Sequence, residues 1–131
     1  MKSASDPFEQ DQYAEEASER WPDKYAESQR RLGKLSDQEK RDLFTRTEEN
    51  HQTLARLFTS GQSVGSDDVQ HAIANHYGWV SAFWTPDRAA YIGMGEMYVS
   101  DSRFAANYDK YAPGVAVFMR DAMAVWANEN L

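Results

Sequence analysis

The chain has 131 residues and a net charge of −7, from 14 basic and 21 acidic side chains. That length suits one domain, able to bury roughly two-thirds of its unfolded surface. The acidic balance argues against direct nucleic-acid binding and against docking on an anionic membrane, both of which need Lys and Arg, while the lack of cysteine removes disulfides, thiolate nucleophiles and Cys-ligated zinc and fits a cytosolic location.

No apolar run approaches the roughly 18 residues of a membrane span. The start, MKSASDPFEQ, has no apolar segment of the signal-peptide kind. Residues 1–7 read as a disordered start, and 8–131 as a single domain. Up to about Lys40 the chain is strongly charged, with Phe8, Tyr13, Trp21, Tyr25, Leu32 and Leu35 as its apolar anchors. Two short helices are expected there, joined near Trp21. The second begins at Pro22, a favourable first-turn residue, and stops at Gly33. So few anchors hold a segment weakly, so residues 8–35 are expected to form a mobile helical lid over a helical core, 36–131.

Ser36 and Glu39 have the spacing of a capping box. The helix they open carries Leu43, Phe44, Thr47, His51, Leu54, Leu57 and Phe58 on one stripe and should run to about Ser60. The glycines of SGQSVGS break the chain. Ser66 or Asp67 caps a further helix that buries Val69, Ala72, Ile73, His76, Val80 and Phe83, with Tyr77 and Trp79 on its flanks. Thr85 and Pro86 read as an N-cap and a first helical residue. Asp101 caps another short helix, and Pro113 opens the last one, with Val115, Phe118, Met119, Ala122 and Trp126 on its stripe. No segment alternates with period two. The fold is expected to be all-α, an irregular bundle of about six to eight helices.

The chemistry is sparse. His71 and His76 are five residues apart, about 140° around a helix, so they diverge rather than share a metal. His76 on an apolar face raises a haem ligand, but a hydrogen-bonded core histidine is the simpler reading. No metal and no cofactor is expected. GMGEMY lacks the third glycine and the preceding strand of a dinucleotide loop. No serine sits in a nucleophile elbow. No positive feature marks an enzyme.

What stands out is aromatic and Met crowding over 79–111: Trp79, Phe83, Trp84, Tyr91, Met94, Met97, Tyr98, Phe104, Tyr108 and Tyr111. A single core has difficulty burying all of these, so some should line a concave apolar surface of the kind that binds small molecules. Gly93 and Gly95 weaken a helix by about 1 kcal/mol each relative to Ala. They fit a place where a neighbouring backbone or a ligand comes close.

Three stretches, RWPDKYAESQRR, W-x3-FW-TP and GMGEMYVSDSRFAANYDKYAPG, resemble the TipA-type antibiotic-recognition domain, the C-terminal effector part of MerR-family transcription activators. The resemblance runs from about Tyr13 to Trp126. It implies a globin-like helical fold without haem. It also implies non-catalytic binding of bulky hydrophobic antibiotics, such as thiopeptides, in a cleft over which the N-terminal helices close. The founding member captures its drug through a cysteine; the matching region here, Thr85 to Asp87, has none. The resemblance implies a chain that does not itself touch DNA. It would be the effector half of a longer activator with a DNA-binding MerR domain, or a stand-alone sequestering protein. The expected ligand contacts are Trp79, Phe83, Trp84, Tyr91, Met94, Met97, Tyr98, Tyr108 and Tyr111 from the floor and Trp21 and Tyr25 from the lid. His76 is expected at the edge of the site or in the core. The acidic balance suits a neutral or cationic ligand. The alternative is a regulatory domain that binds protein and no small molecule.

Overall fold

A computed structural model describes residues 19–131, and the expected first helix and disordered start lie mostly outside them. Among the described residues there are six helices. They are α1 (Pro22–Leu32), α2 (Asp37–Thr59), α3 (Asp67–Ser81), α4 (Arg88–Ser100), α5 (Ser102–Asp109) and α6 (Val115–Asn130).

Local chemistry sets most of the boundaries. Pro22 occupies the first turn of α1. At α2 the Ser36 hydroxyl accepts from the Glu39 amide at 3.1 Å, and the Glu39 carboxylate accepts from the Ser36 amide at 2.9 Å. Ser66 caps α3 by accepting from the Val69 amide. Asp101 ends α4 and begins α5, accepting from the Arg103 amide at 2.9 Å. Each such bond satisfies amides that the first turn leaves unpaired.

Two helix starts differ from expectation. The N-cap of α4 is Asp87, whose carboxylate accepts from the Ala90 amide at 2.8 Å, rather than Thr85. Pro86 is buried ahead of the helix, and its carbonyl accepts from the Tyr77 hydroxyl at 2.6 Å. That contact takes Pro86 for tertiary packing. The last helix starts at Val115, not Pro113, because Gly114 turns the chain at φ 96°. A Cβ on Gly114 would stand 2.9 Å from the Phe58 ring, so both the conformation and the space require glycine. The Asp109 carboxylate reaches across to accept from the Ala116 amide at 3.0 Å.

The core joins α2, α3, α4, α5 and α6. Leu54, Val69, Ile73, Tyr91, Met119 and Met123 have no exposed surface. Helices α4 and α6 pack face to face, and Gly95 sits where they are nearest: a Cβ there would lie 3.1 Å from the Arg120 Cα. Backbone cannot step aside as a side-chain tip can. Gly95→Ala is therefore expected to destabilise the domain by about 1–3 kcal/mol, despite alanine's better helix propensity. Urea titration reads this as a lower midpoint, and an unchanged or raised midpoint would contradict the close crossing.

Helix α1 is held differently. It buries one residue, Leu32. It is also tied by Arg31, whose Nη1 donates to the Ser81 carbonyl at 2.8 Å and to the Thr85 hydroxyl at 3.1 Å. Glu27 pairs with Arg30 and Arg31 on the outer face. A helix with one fully buried residue and a few polar ties leaves much of its inner surface standing off the core.

Candidate functional site

That stand-off creates a cleft of ≈ 530 Å³ between α1 and α4. Its α1 wall comes from Trp21, Lys24, Tyr25 and Ser28, and its α4 wall from Ala90, Gly93, Met94 and Met97. Both sets follow the three- and four-residue spacing of one helix face. Trp84, in the turn before α4, closes one side. Arg20, Glu96 and Ser100 complete the lining.

The charged groups are arranged around rings. The Lys24 ammonium lies 4.6 Å from the centre of the Trp84 ring, so it bridges α1 and the core. The Arg20 guanidinium lies 4.4 Å from the Trp21 ring. Such cation–π contacts hold flat aromatic faces in place while leaving them available for stacking. The two cations and Glu96 mean that the local charge is not that of the whole chain.

Five of the expected contact residues meet in this cleft: Trp21, Tyr25, Trp84, Met94 and Met97. Trp79 instead lines a groove between α2 and α3, where His76 also contributes. Phe83 packs edge-on to Trp79 with ring centres 5.1 Å apart. Tyr91, Tyr98 and Tyr108 are buried in the core. Tyr111 is half-buried, and its hydroxyl donates to Glu48 at 2.8 Å. Aromatic character alone did not point to Arg20, Lys24, Ser28, Ala90, Gly93, Glu96 and Ser100. The signal that finds several of them is register: 21, 24, 25 and 28 share one face of α1, as 90, 93, 94, 97 and 100 share one face of α4.

His76 belongs to the core, with 2% of its surface exposed. Its Nδ1 lies 2.7 Å from the Tyr91 hydroxyl and its Nε2 3.3 Å from that of Tyr98. Burial holds its pKa down at about 3. His51 packs 6.3 Å from it, ring to ring, and burial lowers its pKa to about 4. The same burial raises the Tyr91 and Tyr108 phenols and takes Tyr98 to about 12. These neutral rings form a seam across α2, α3, α4 and α5, hydrogen-bonded at His76, Tyr91 and Tyr98, with Tyr98 and Tyr108 centred 4.5 Å apart. The seam holds the helices; it does not face the α1–α4 cleft.

Among the described residues, no helix is long and apolar enough to cross a membrane. The geometry is that of an all-α bundle with a concave cleft between its core and α1. The profile of the TipAS antibiotic-recognition domain matches residues 13–126, and the chain belongs to that family. It is similar to the HTH-type transcriptional activator TipA of Streptomyces coelicolor, at 31% identity over 119 residues, covering 88% of this chain and 47% of that protein. The Streptomyces lividans protein of the same name matches equally. The HTH-type transcriptional regulator SkgA of Caulobacter vibrioides is 35% identical over 78 residues, covering 56% of this chain and 30% of that one. The chain thus spans about half the length of the TipA relatives it matches. A solved structure of TipAS in complex with nosiheptide, from the thiopeptide antibiotic multidrug resistance system of Streptomyces lividans, superposes with a TM-score of 0.81 at 29% identity. It covers 94% of this chain and 88% of that one. The fold is the all-α, globin-like bundle that the sequence resemblance implied.

Proposed function

We propose that this protein binds bulky, largely apolar antibiotics without chemistry, in the cleft between α1 and α4. The observation that carries the reading is the cleft itself: ≈ 530 Å³ walled by Trp21, Tyr25, Trp84, Met94 and Met97. That volume lies within the range of small-molecule sites. Methionines adapt to varied shapes, and the tryptophans supply rigid stacking area. With no cysteine in the chain, the hold is non-covalent. The cations at Arg20 and Lys24 accept neutral or polar-edged ligands, so overall acidity does not decide the ligand's charge.

The ligand's role in the fold is to join α1 to α4. Helix α1 acts as the lid, and fixing it on the ligand consumes part of the gross interaction energy, which keeps net affinity below what the contact area would give. In a longer regulator, closure of the lid is the signal passed to a DNA-binding MerR domain. In a free-standing protein the same closure sequesters the drug. Support for the regulator comes from the HTH-type transcriptional activator and the HTH-type transcriptional regulator among the relatives. Either role is exercised in the cytoplasm.

The test is a titration with nosiheptide and a panel of other hydrophobic antibiotics. Trp21 and Trp84 line the cleft, so tryptophan fluorescence should change with micromolar affinity, and helical circular dichroism should increase as the lid orders. If no compound moves either signal at micromolar levels while a protein partner is captured, the protein-binding alternative takes its place.

A further inference from the structure

A second concavity, ≈ 560 Å³, lies between α2 and α3. It is distinct in lining from the α1–α4 cleft: no residue is shared between the two. Leu43, Thr47, Asn50 and His51 line it from α2, and Gly78 and Trp79 from α3. Two of these side chains carry a buried polar atom without a hydrogen-bond partner among the described residues, Nε2 of His51 and Nε1 of Trp79. Unpartnered buried polar atoms are uncommon, and each is unfavourable until something pairs with it. Two of them bordering one groove form a pattern that packing alone does not require.

The chemistry of the pair defines what it would take. Indole Nε1 is a donor only, so it needs an acceptor. His51 is held neutral by burial, and a neutral imidazole nitrogen pairs with either a donor or an acceptor according to its tautomer. Trp79, His51 and Leu43 give the groove rings and apolar surface, which favour a flat ring, and Arg46, Glu49, Asn50 and Asn75 add polar groups around them. Gly78, beside Trp79, faces open space, since a Cβ there would meet nothing within 4 Å. A small turn of the indole would bring its covered N–H to an occupant.

We propose that the α2–α3 groove is a second binding site, for a neutral, flat heteroaromatic amide whose carbonyl accepts from Trp79 Nε1 and whose remaining polar edge pairs with His51. It works independently of the α1–α4 cleft, and failure of one site leaves the other standing.

The experiment uses pyridine-3-carboxamide as the probe and toluene as the apolar control, with the whole chain labelled with nitrogen-15. The four tryptophan indole N–H signals separate the sites: Trp79 reports the groove, and Trp21 and Trp84 report the cleft. The Trp79 signal should move with millimolar pyridine-3-carboxamide and be insensitive to toluene. Gly78→Leu places a side chain in the groove without a clash and should remove the response. Trp79→Phe keeps a ring and loses the donor; followed through the His51 ring protons, its affinity should fall about five- to tenfold. A Trp79 signal that stays fixed overturns the proposal, as does one that still moves in Gly78→Leu. A shift confined to Trp21 and Trp84 assigns the probe to the cleft and also overturns it. Should Trp79→Phe fail to fold, the Gly78→Leu comparison decides alone.

Discussion

Gly93→Leu is expected to weaken antibiotic binding at least tenfold while making the free protein more stable. Gly93 lines the α1–α4 cleft, and a Cβ there would meet no atom within 4 Å. A leucine side chain therefore projects into the space the ligand needs. In the helix it replaces the poorest ordinary residue with a good one, a gain of about 0.8 kcal/mol. Thermal unfolding should rise by about 3 °C for a domain of this size. The compound that gives the largest tryptophan response with the unmodified chain should give little or none with the variant. Unaltered affinity would remove the cleft as the site. A fall in melting temperature would mean that Gly93 is needed for packing, as Gly95 is. The two glycines, two residues apart on α4, thus have opposite expected outcomes. One faces the Arg120 backbone and the other faces open space.

Acid should destabilise the domain well before its carboxylates dominate, through the two buried histidines. Their folded pKa values are about 4 for His51 and about 3 for His76, both held down first by burial. In the unfolded chain a histidine titrates near about 6.5. Above that pH neither state takes up the proton, and the full stability is present. Below it the unfolded chain binds a proton that the folded chain refuses, so stability falls with falling pH until the folded pKa is reached. Each histidine contributes a slope of about 1.4 kcal/mol per pH unit. Together they remove about 4 kcal/mol between pH 6 and pH 4.5, a large part of the stability of a small domain. The neighbours act on this in opposite senses. Glu48 draws the His51 pKa up, and Lys110 pushes it down. Tyr91 and Tyr98 face His76 with neutral hydroxyls. Urea midpoints measured across this range should show the slope, and His51→Gln should reduce it by about half. A curve that is flat from pH 6.5 to 4.5, or a His51→Gln slope equal to that of the parent, would sink the assignment.

How far these features were legible from the sequence depended on how local their causes are. Ser36 and Asp101 were found as caps, and Ser66 as one of two candidates beside Asp67, because a cap is a bond between residues two or three apart. Pro22 and Gly33 framed α1 for the same reason. Thr85–Pro86 and Pro113 were misplaced as helix starts because distant partners decide those turns. Tyr77 takes the Pro86 carbonyl, and Phe58 packs where Gly114 has no side chain. The crowding of rings and methionines over 79–111 suggested that some of them line a concave apolar surface. It did not say which rings were core. On α4 two adjacent faces are both apolar. Tyr91, Gly95 and Tyr98 are buried, whereas Ala90, Gly93, Met94 and Met97 line the cleft. Hydrophobicity does not separate these faces, and Gly95 marks the inner one only once α6 is seen crossing it.

The sequence by itself determined the helical class, the capping that sets most of the elements, and membership of a family through motifs spread over most of the chain. These rest on spacing along one strand of residues, and spacing is present before folding. The tertiary structure alone decided which face of α4 meets α6, that His76 is bound on both nitrogens by tyrosines 15 and 22 residues away, and that α1 stands off the core far enough to leave a cleft. Those outcomes depend on how closely two helices approach. That distance is set by side chains from both, such as Gly95 and Arg120 at one crossing and Arg31 with Ser81 at another.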